Sequence, residues 1–108
     1  MRESVVEKHL RIQVRRAGGM TYKFKSPGRK NVPDRIVIWP RALQMGVISE
    51  GRIKVTHVSR VDFVECKAPG KKANPAQARE HVRLMKLNCS VLVLDTKAKV
   101  DAYVGRNR

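Results

Sequence analysis

Asp34, Glu65 and Lys67 are the residues of this chain whose types and spacing could most readily do chemistry. Asp34 follows Pro33 and opens the apolar run RIVIW (35–39), and Glu65 and Lys67 flank Cys66 at the end of VDFVECK (61–67). Side chains alternate along a strand, so Glu65 and Lys67 share one face while Val64 and Cys66 take the other. A carboxylate set among apolar residues is costly unless it is paired. Each acid has many Lys and Arg to pair with. For Glu7, on an apolar helix stripe, Asp34 and Glu65 taken together, with Lys67 beside Glu65, a hard divalent cation is the better account, because converging carboxylates repel one another unless such an ion sits between them. Mg²⁺ prefers oxygen ligands, few carboxylates and retained waters. It would lower the pKa of a bound water and neutralise charge developing on an attacked phosphate. Lys67, on the same face, would position that water or stabilise the transition state.

The elements that must hold these residues follow from periodicity and turn chemistry. Residues 4–17 (SVVEKHLRIQVRRA) have a helical apolar stripe of Val6, Leu10, Val14 and Ala17, closed by Gly18-Gly19. Glu3 and Glu7 fall within that stripe at its N-terminal end. Two roles fit Glu7: the glutamate of a Ser4-x-x-Glu7 capping box, satisfying a free backbone amide at the helix start, or a further carboxylate of the site. TYKFK (21–25) alternates as a strand, the basic connection SPGRKNVPD follows, and residues 35–39 resume as an apolar strand ended by Pro40. Residues 41–60 read as a β-hairpin insertion, with MGVI (45–48) and RIKVT (52–56) flanking a Ser49-Glu50-Gly51 turn.

After strand 61–67 comes the basic loop APGKK. Asn74 then caps a helix that begins at Pro75 and runs to Asn88. CSVLVL (89–94) is a buried strand, and Asp95 or Thr96 caps a last helix, KAKVDAYV, with Val100, Tyr103 and Val104 inward and Gly105 at its end. The result is a single α/β layered domain over residues 1–105, with 106–108 as a basic tail.

Composition narrows the partner. With 24 Lys plus Arg against 9 Asp plus Glu in 108 residues, the formal charge is +15, which draws polyanions through counterion release. Nucleic acid is the leading partner. An anionic membrane surface would call for a basic amphipathic helix with large apolar anchors, and only 5% of residues are aromatic. The same scarcity argues against single-strand binding on stacking platforms. No apolar stretch is long enough to span a bilayer, and the opening residues Met1, Arg2 and Glu3 do not suit a signal peptide. Cys66 and Cys89 each sit in an apolar run, as free thiols of a reducing compartment do, and lack zinc-ligand spacing. His9, His57 and His81 are scattered and read as surface or structural groups.

Pro33-Asp34 with Glu65-Cys66-Lys67 resembles the PD-(D/E)XK nuclease signature. KFKSPGRKNVPDRIVIWP (23–40), FVECKAPGKKANPAQAREH (63–81), VLVLD (91–95) and the opening ESVVEKHL together resemble a stand-alone VRR-NUC domain of phage or bacterial type. That resemblance implies a restriction-endonuclease-like αβββαβ core carrying the hairpin insertion and a C-terminal helix. It implies Asp34 and Glu65 as metal ligands, joined by the backbone carbonyl of Cys66. Lys67 becomes the catalytic lysine, Glu7 in preference to Glu3 the helical glutamate completing the site, and Gln77 a glutamine beside it. Gln77 also suits a capping role toward Asn74. Relatives usually have Gly where this chain has Asn31, a residue that tolerates a left-handed turn.

Ser26, Gly28, Arg29, Lys30 and Arg35 before the second strand, and Lys71 and Lys72 after Glu65, would flank the metal with groups suited to a DNA backbone. The expectation is a Mg²⁺- or Mn²⁺-dependent endonuclease without a small-molecule cofactor, in the cytoplasm of a bacterium or phage-infected host. The family resemblance further implies branched DNA as substrate, in particular four-way (Holliday) junctions, and a homodimer whose two-fold symmetry matches such a substrate. Flap or linear-duplex cleavage and a catalytically idle basic nucleic-acid-binding module are the alternatives.

Overall fold

The computed structural model describes residues 1–40, 45–47, 53–55 and 60–108. In chain order the elements are α1 (Glu3–Arg16), β1 (Met20–Lys23), β2 (Arg35–Trp39), β3 (Met45–Val47), β4 (Ile53–Val55), β5 (Arg60–Cys66), α2 (Pro75–Lys86), β6 (Ser90–Leu94) and α3 (Lys97–Asn107). One sheet has the order β1-β2-β5-β6, and β3 and β4 form a separate antiparallel pair. β1 and β2 pair antiparallel, as do β2 and β5, and β6 joins β5 in parallel after the α2 crossover. This is the expected αβββαβ order with an inserted hairpin. Its anticipated turn at Ser49-Glu50-Gly51 lies outside the described residues.

Strand alternation sorts the sheet into two faces. Arg35, Val37 and Trp39 of β2 face the same way as Val64 and Cys66 of β5, and onto them pack Val6, Leu10 and Val14 of α1 and Val100, Tyr103 and Val104 of α3. Val6, Leu10, Val14, Val37, Val64 and Val100 are wholly buried. Burying each such side chain stabilises the fold by about 1.5–3 kcal/mol. The chain leaves α1 through Gly18, whose φ of 90° suits the left-handed position after a helix. Gly19 then donates to the Val14 carbonyl at 2.9 Å. A Cβ on Gly19 would stand 2.9 Å from both Trp39 Cε3 and Val14 Cγ1, so the close crossing of α1 over β2 requires glycine there.

Two boundaries differ from the sequence expectation. α1 begins at Glu3 with Arg2 at its N-cap and no side-chain cap, which places Ser4 inside the helix. The Ser4–Glu7 capping box therefore does not form. α3 continues through Gly105 to Asn107, so the expected tail beyond 105 is mostly helix. There the Asn107 side chain donates to the Tyr103 carbonyl at 2.8 Å. At the other end of α3, Thr96 is the cap, accepting from the Lys99 N–H at 3.0 Å.

A polar network lies inside the core. Trp39 Nε1 donates to the Tyr103 hydroxyl at 2.8 Å, that hydroxyl donates to Asp62, and Arg60 Nε donates to the other Asp62 oxygen at 2.9 Å. Asp62 is completely buried. Burial, and then the Asp62 carboxylate, push the Tyr103 phenol above its ordinary range, so it remains a hydroxyl donor. Tyr103→Phe leaves the Trp39 N–H and one Asp62 oxygen without partners, at a cost of about 1–3 kcal/mol for each. Chemical denaturation should show a lower midpoint with an unchanged slope, and an unchanged midpoint would show that the network adds nothing to stability.

Candidate active site

The site lies where β2 begins and β5 ends. Antiparallel pairing sets Arg35 opposite Val64, and so brings Asp34, just before β2, beside Glu65 and Cys66. Asp34 Oδ2 accepts a hydrogen bond from the Cys66 backbone N–H at 2.9 Å, while the Asp34 carbonyl accepts from the Phe24 N–H at 2.8 Å. The preceding turn passes through Asn31 at a φ of 66°, the left-handed conformation expected of that residue.

Glu65 is 1% exposed and lies on the sheet face opposite the α1 and α3 core. Burial, then contact with the Asp34 carboxyl and its charge, push the Glu65 carboxyl up to about 8, against a smaller downward pull from Lys67. Without a cation, that shift favours the protonated form of Glu65 near neutral pH. Lys67 is half-buried, and its backbone N–H donates to the Leu94 carbonyl of β6 at 3.0 Å. The Cys66 side chain belongs to the core, where burial and the charge of Asp34 push its thiol up to about 12. Only its backbone is available to the site. Cys66 and Cys89 are both free.

Glu7 reaches the edge of this cluster from α1. Its Oε1 accepts from Arg35 Nη1 at 3.1 Å and stands 3.6 Å from Lys23 Nζ. Glu3, one turn earlier, adds an unfavourable charge at Glu65. Asp34, Glu65, Lys67 and the two helical glutamates thus converge on one end of the sheet. Among the described residues no three His, Cys, Asp or Glu side chains are close enough to form a ready ligand set. Two abutting carboxylates beside a strand backbone are nevertheless the oxygen donors that a hard divalent cation takes, completed by water.

Other candidates have different surroundings. Gln77 is held in the Asn74 capping box, its Oε1 accepting from the Asn74 N–H at 3.0 Å and its own N–H donating to Asn74 Oδ1 at 2.8 Å. Arg35 is 7% exposed and is committed through Nε and Nη1 to Thr21 Oγ1 and Glu7, so only its remaining N–H donors are left for any further contact. Arg29 also has an internal partner: its Nε and Nη2 clamp the Glu80 carboxylate of α2 at 3.0 and 2.8 Å. That bidentate pair ties the basic connection before β2 onto α2 and holds Glu80 below its ordinary range. Ser26 pairs across the tight turn with Arg29, and Lys30, Lys71 and Lys72 are exposed.

His81 was not singled out from the sequence, yet it is 5% exposed and its Nε2 stands 3.4 Å from Glu65 Oε1. Burial, and then the charge of Lys67, lower its pKa and keep it neutral at pH 7. Its position one turn beyond Gln77 on the same helix was the available signal.

A mixed four-stranded sheet with carboxylates at the start of one strand and the end of its antiparallel neighbour, followed by a lysine, defines a PD-(D/E)XK-type nuclease fold. A solved structure of a VRR_NUC domain is similar over 98% of this chain and 97% of its own, with a TM-score of 0.71 and 26% identity. "Putative nuclease p44" of Acyrthosiphon pisum secondary endosymbiont phage 1 is 45% identical over 97 residues, which span 90% of this chain and 86% of that protein. No protein-family model matches the chain. The chain belongs to the VRR-NUC family of nuclease domains. No described helix is long and apolar enough to cross a membrane.

The proton held by Glu65 has a measurable consequence. A carboxyl that titrates near 8 when folded and near 4.5 when unfolded binds more protons in the folded state between those values, so stability falls as pH rises through them. His81, neutral when folded, works in the opposite direction near its unfolded value of 6.5. Thermal unfolding in EDTA from pH 7 to 8, below the range in which the unfolded Cys66 thiol ionises, therefore isolates the acid. The wild type should lose stability across that range, Glu65→Gln should not, and Mn²⁺ should restore the wild type. Equal slopes for the two proteins would show that the Glu65 carboxyl is not raised as described.

Proposed function

We propose that this protein is a divalent-metal-dependent, structure-specific DNA endonuclease that cuts four-way (Holliday) junctions as a homodimer. The observation that carries this reading is the 2.9 Å hydrogen bond from the Cys66 N–H that seats the Asp34 carboxylate next to Glu65 and Lys67, on a chain of charge +15. A basic protein that only binds DNA has no use for two carboxylates at its binding face, since they repel the phosphates it must attract.

Asp34, Glu65 and the Cys66 carbonyl would hold the Mg²⁺ or Mn²⁺, with Glu7 completing the site through a water or directly. The ion would supply an activated water and neutralise charge on the attacked phosphate. The Cys66 N–H fixes the rotamer of Asp34 before any ligand arrives. Arg35 does the same for Glu7. Lys67 shares the face of Glu65 and brings a positive charge to the side from which a phosphodiester would approach, where it stabilises developing negative charge. Gln77, one turn before His81 on α2, would orient substrate or water with its amide nitrogen, which the capping box leaves unused. Ser26, Arg29, Lys30, Lys71 and Lys72 would border the site with backbone-binding groups, and Arg29 would also keep its loop in place through Glu80.

A domain of this size has little surface for reading base sequence, so shape and backbone carry recognition. Two identical sites related by a two-fold axis would place paired nicks in a symmetric branched substrate.

The test is cleavage of end-labelled four-way junction, flap and linear duplex with Mg²⁺, Mn²⁺ or EDTA. Asp34→Ala, Glu65→Ala and Lys67→Ala should each lower cleavage by roughly a hundredfold or more while leaving DNA binding largely intact. Paired, metal-dependent cuts in the junction would support the full reading, and cuts in flap or duplex alone would move the substrate class. Normal cleavage by any two of the variants would refute the assigned site, and binding without cleavage under every condition would identify a basic binding module.

A further inference from the structure

On the outer edge of the sheet, a groove of about 240 Å³ lies between α1 and β1, lined by Arg11, Arg15, Gly19, Met20, Thr21 and Arg35. Three arginines therefore line one small groove. Arg11 and Arg15 are exposed and have no ion pair among the described residues. Arg35 is different, because it is 7% exposed and fixed by Thr21 Oγ1 and Glu7 Oε1, each at 3.1 Å. Those bonds occupy its Nε and Nη1, and a guanidinium has five N–H donors in a rigid fork. Its other N–H donors make no side-chain hydrogen bond among the described residues, on a group that is already held in place. Glu7 is the only carboxylate bonded to this group among the described residues, and it also faces Lys23, so the groove remains net positive.

The placement of the groove gives it meaning. Glu3, Glu7, Arg11 and Arg15 recur every four residues along α1, so they form one row that drifts slowly around the helix. The row is acidic beside Asp34 and Glu65 and basic beyond. Each step advances about 6 Å along the helix axis, comparable to the step between neighbouring phosphates of a strand. Arg35 bridges the two halves, since one of its bonds goes to Glu7 and its side chain lies in the basic groove.

We propose that this groove carries the DNA backbone away from the cleavage centre, with Arg35, Arg11 and Arg15 contacting successive phosphates on one side of the cut bond. The inference rests on the acidic cluster being that centre. The ligand chemistry is a phosphate oxygen, which an internal phosphodiester or a strand's terminal 5′-phosphate could present.

Binding would be measured by fluorescence anisotropy on the full chain carrying Asp34→Asn, which removes cleavage. Arg11→Gln with Arg15→Gln, both exposed, would be compared with Arg83→Gln and Lys86→Gln at the far end of α2. Over roughly 50–200 mM salt, the first pair should flatten the slope of log K against log salt by about 2, and the second pair by much less. Equal flattening by the two pairs would overturn the proposal. Methylphosphonate substitution one and two steps from the cut should weaken binding to the parent chain but not to the Arg11 and Arg15 variant. If the loss instead follows only removal of a 5′-phosphate, the groove holds a strand end and the tracking role is wrong. If the parent binds no DNA at all, the nuclease reading itself fails, an outcome distinct from a parent that binds with an unaltered salt slope in the variant.

Discussion

The candidate site depends on one hydrogen bond, from the Cys66 backbone N–H to Asp34 Oδ2 at 2.9 Å. It joins the residue before β2 to the end of β5, two places separated by about thirty residues of chain that include the hairpin. The same residue anchors the other side of the sheet, since the Cys66 side chain is wholly buried in the α1 and α3 core. Because neighbouring side chains alternate, fixing Cys66 inward fixes Glu65 and Lys67 outward. A slip of one residue in β5 would send Glu65 into an apolar core and Cys66 to the candidate site. Packing of Val64 and Cys66 against α1 and α3 thus supplies the energy that holds two mutually repelling acids together.

That dependence explains which features could be read from the sequence. Val6, Leu10 and Val14 on α1, the alternation of β5, the Asn74-Pro75 start of α2 and the left-handed Asn31 all follow from local periodicity or turn chemistry. Asp34, Glu65 and Lys67 were legible because their spacing is set by the same local rules. What local rules cannot show is the partner of a side chain from a distant segment. Arg35 and Glu7 are 28 positions apart, and Arg29 and Glu80 are 51 apart. Both arginines looked like surface contacts in a chain rich in them, and both are used first inside the protein. Asp62 had a usable signal, since it shares the inward parity of Val64, but its partner Tyr103 lies on the last helix. The Ser4–Glu7 cap looked plausible because its spacing is right. It fails because the helix starts one residue earlier, and Glu7 is taken by Arg35.

The distribution of charge follows from these pairings. In a protein of charge +15, acids are few, and those that are buried divide into two kinds. Asp62 and Glu80 are each met by an arginine, Arg60 and Arg29, and so serve the fold. Glu65 meets another carboxyl and a 3.4 Å contact from a histidine held neutral at pH 7. A buried acid answered by a guanidinium is compensated. One left against a second acid retains an unmet demand for positive charge, and that contrast separates site from scaffold without reference to any relative.

His81 belongs to this second group. It reaches Glu65 from α2, while Asp34 reaches it from the strand side, so the carboxyl is bounded by two elements that pack independently on the sheet. α2 is itself tied to the connection before β2 through Glu80 and Arg29, and that connection ends at Asp34. The chain of contacts therefore closes on itself: Asp34, Cys66 and Glu65, His81 and Glu80, Arg29, and back to Asp34. A ring of this kind resists loosening at any one link, because each acid is located by two segments. It is also the arrangement by which a small domain can hold a repulsive cluster ready for a cation instead of relaxing it into ordinary ion pairs.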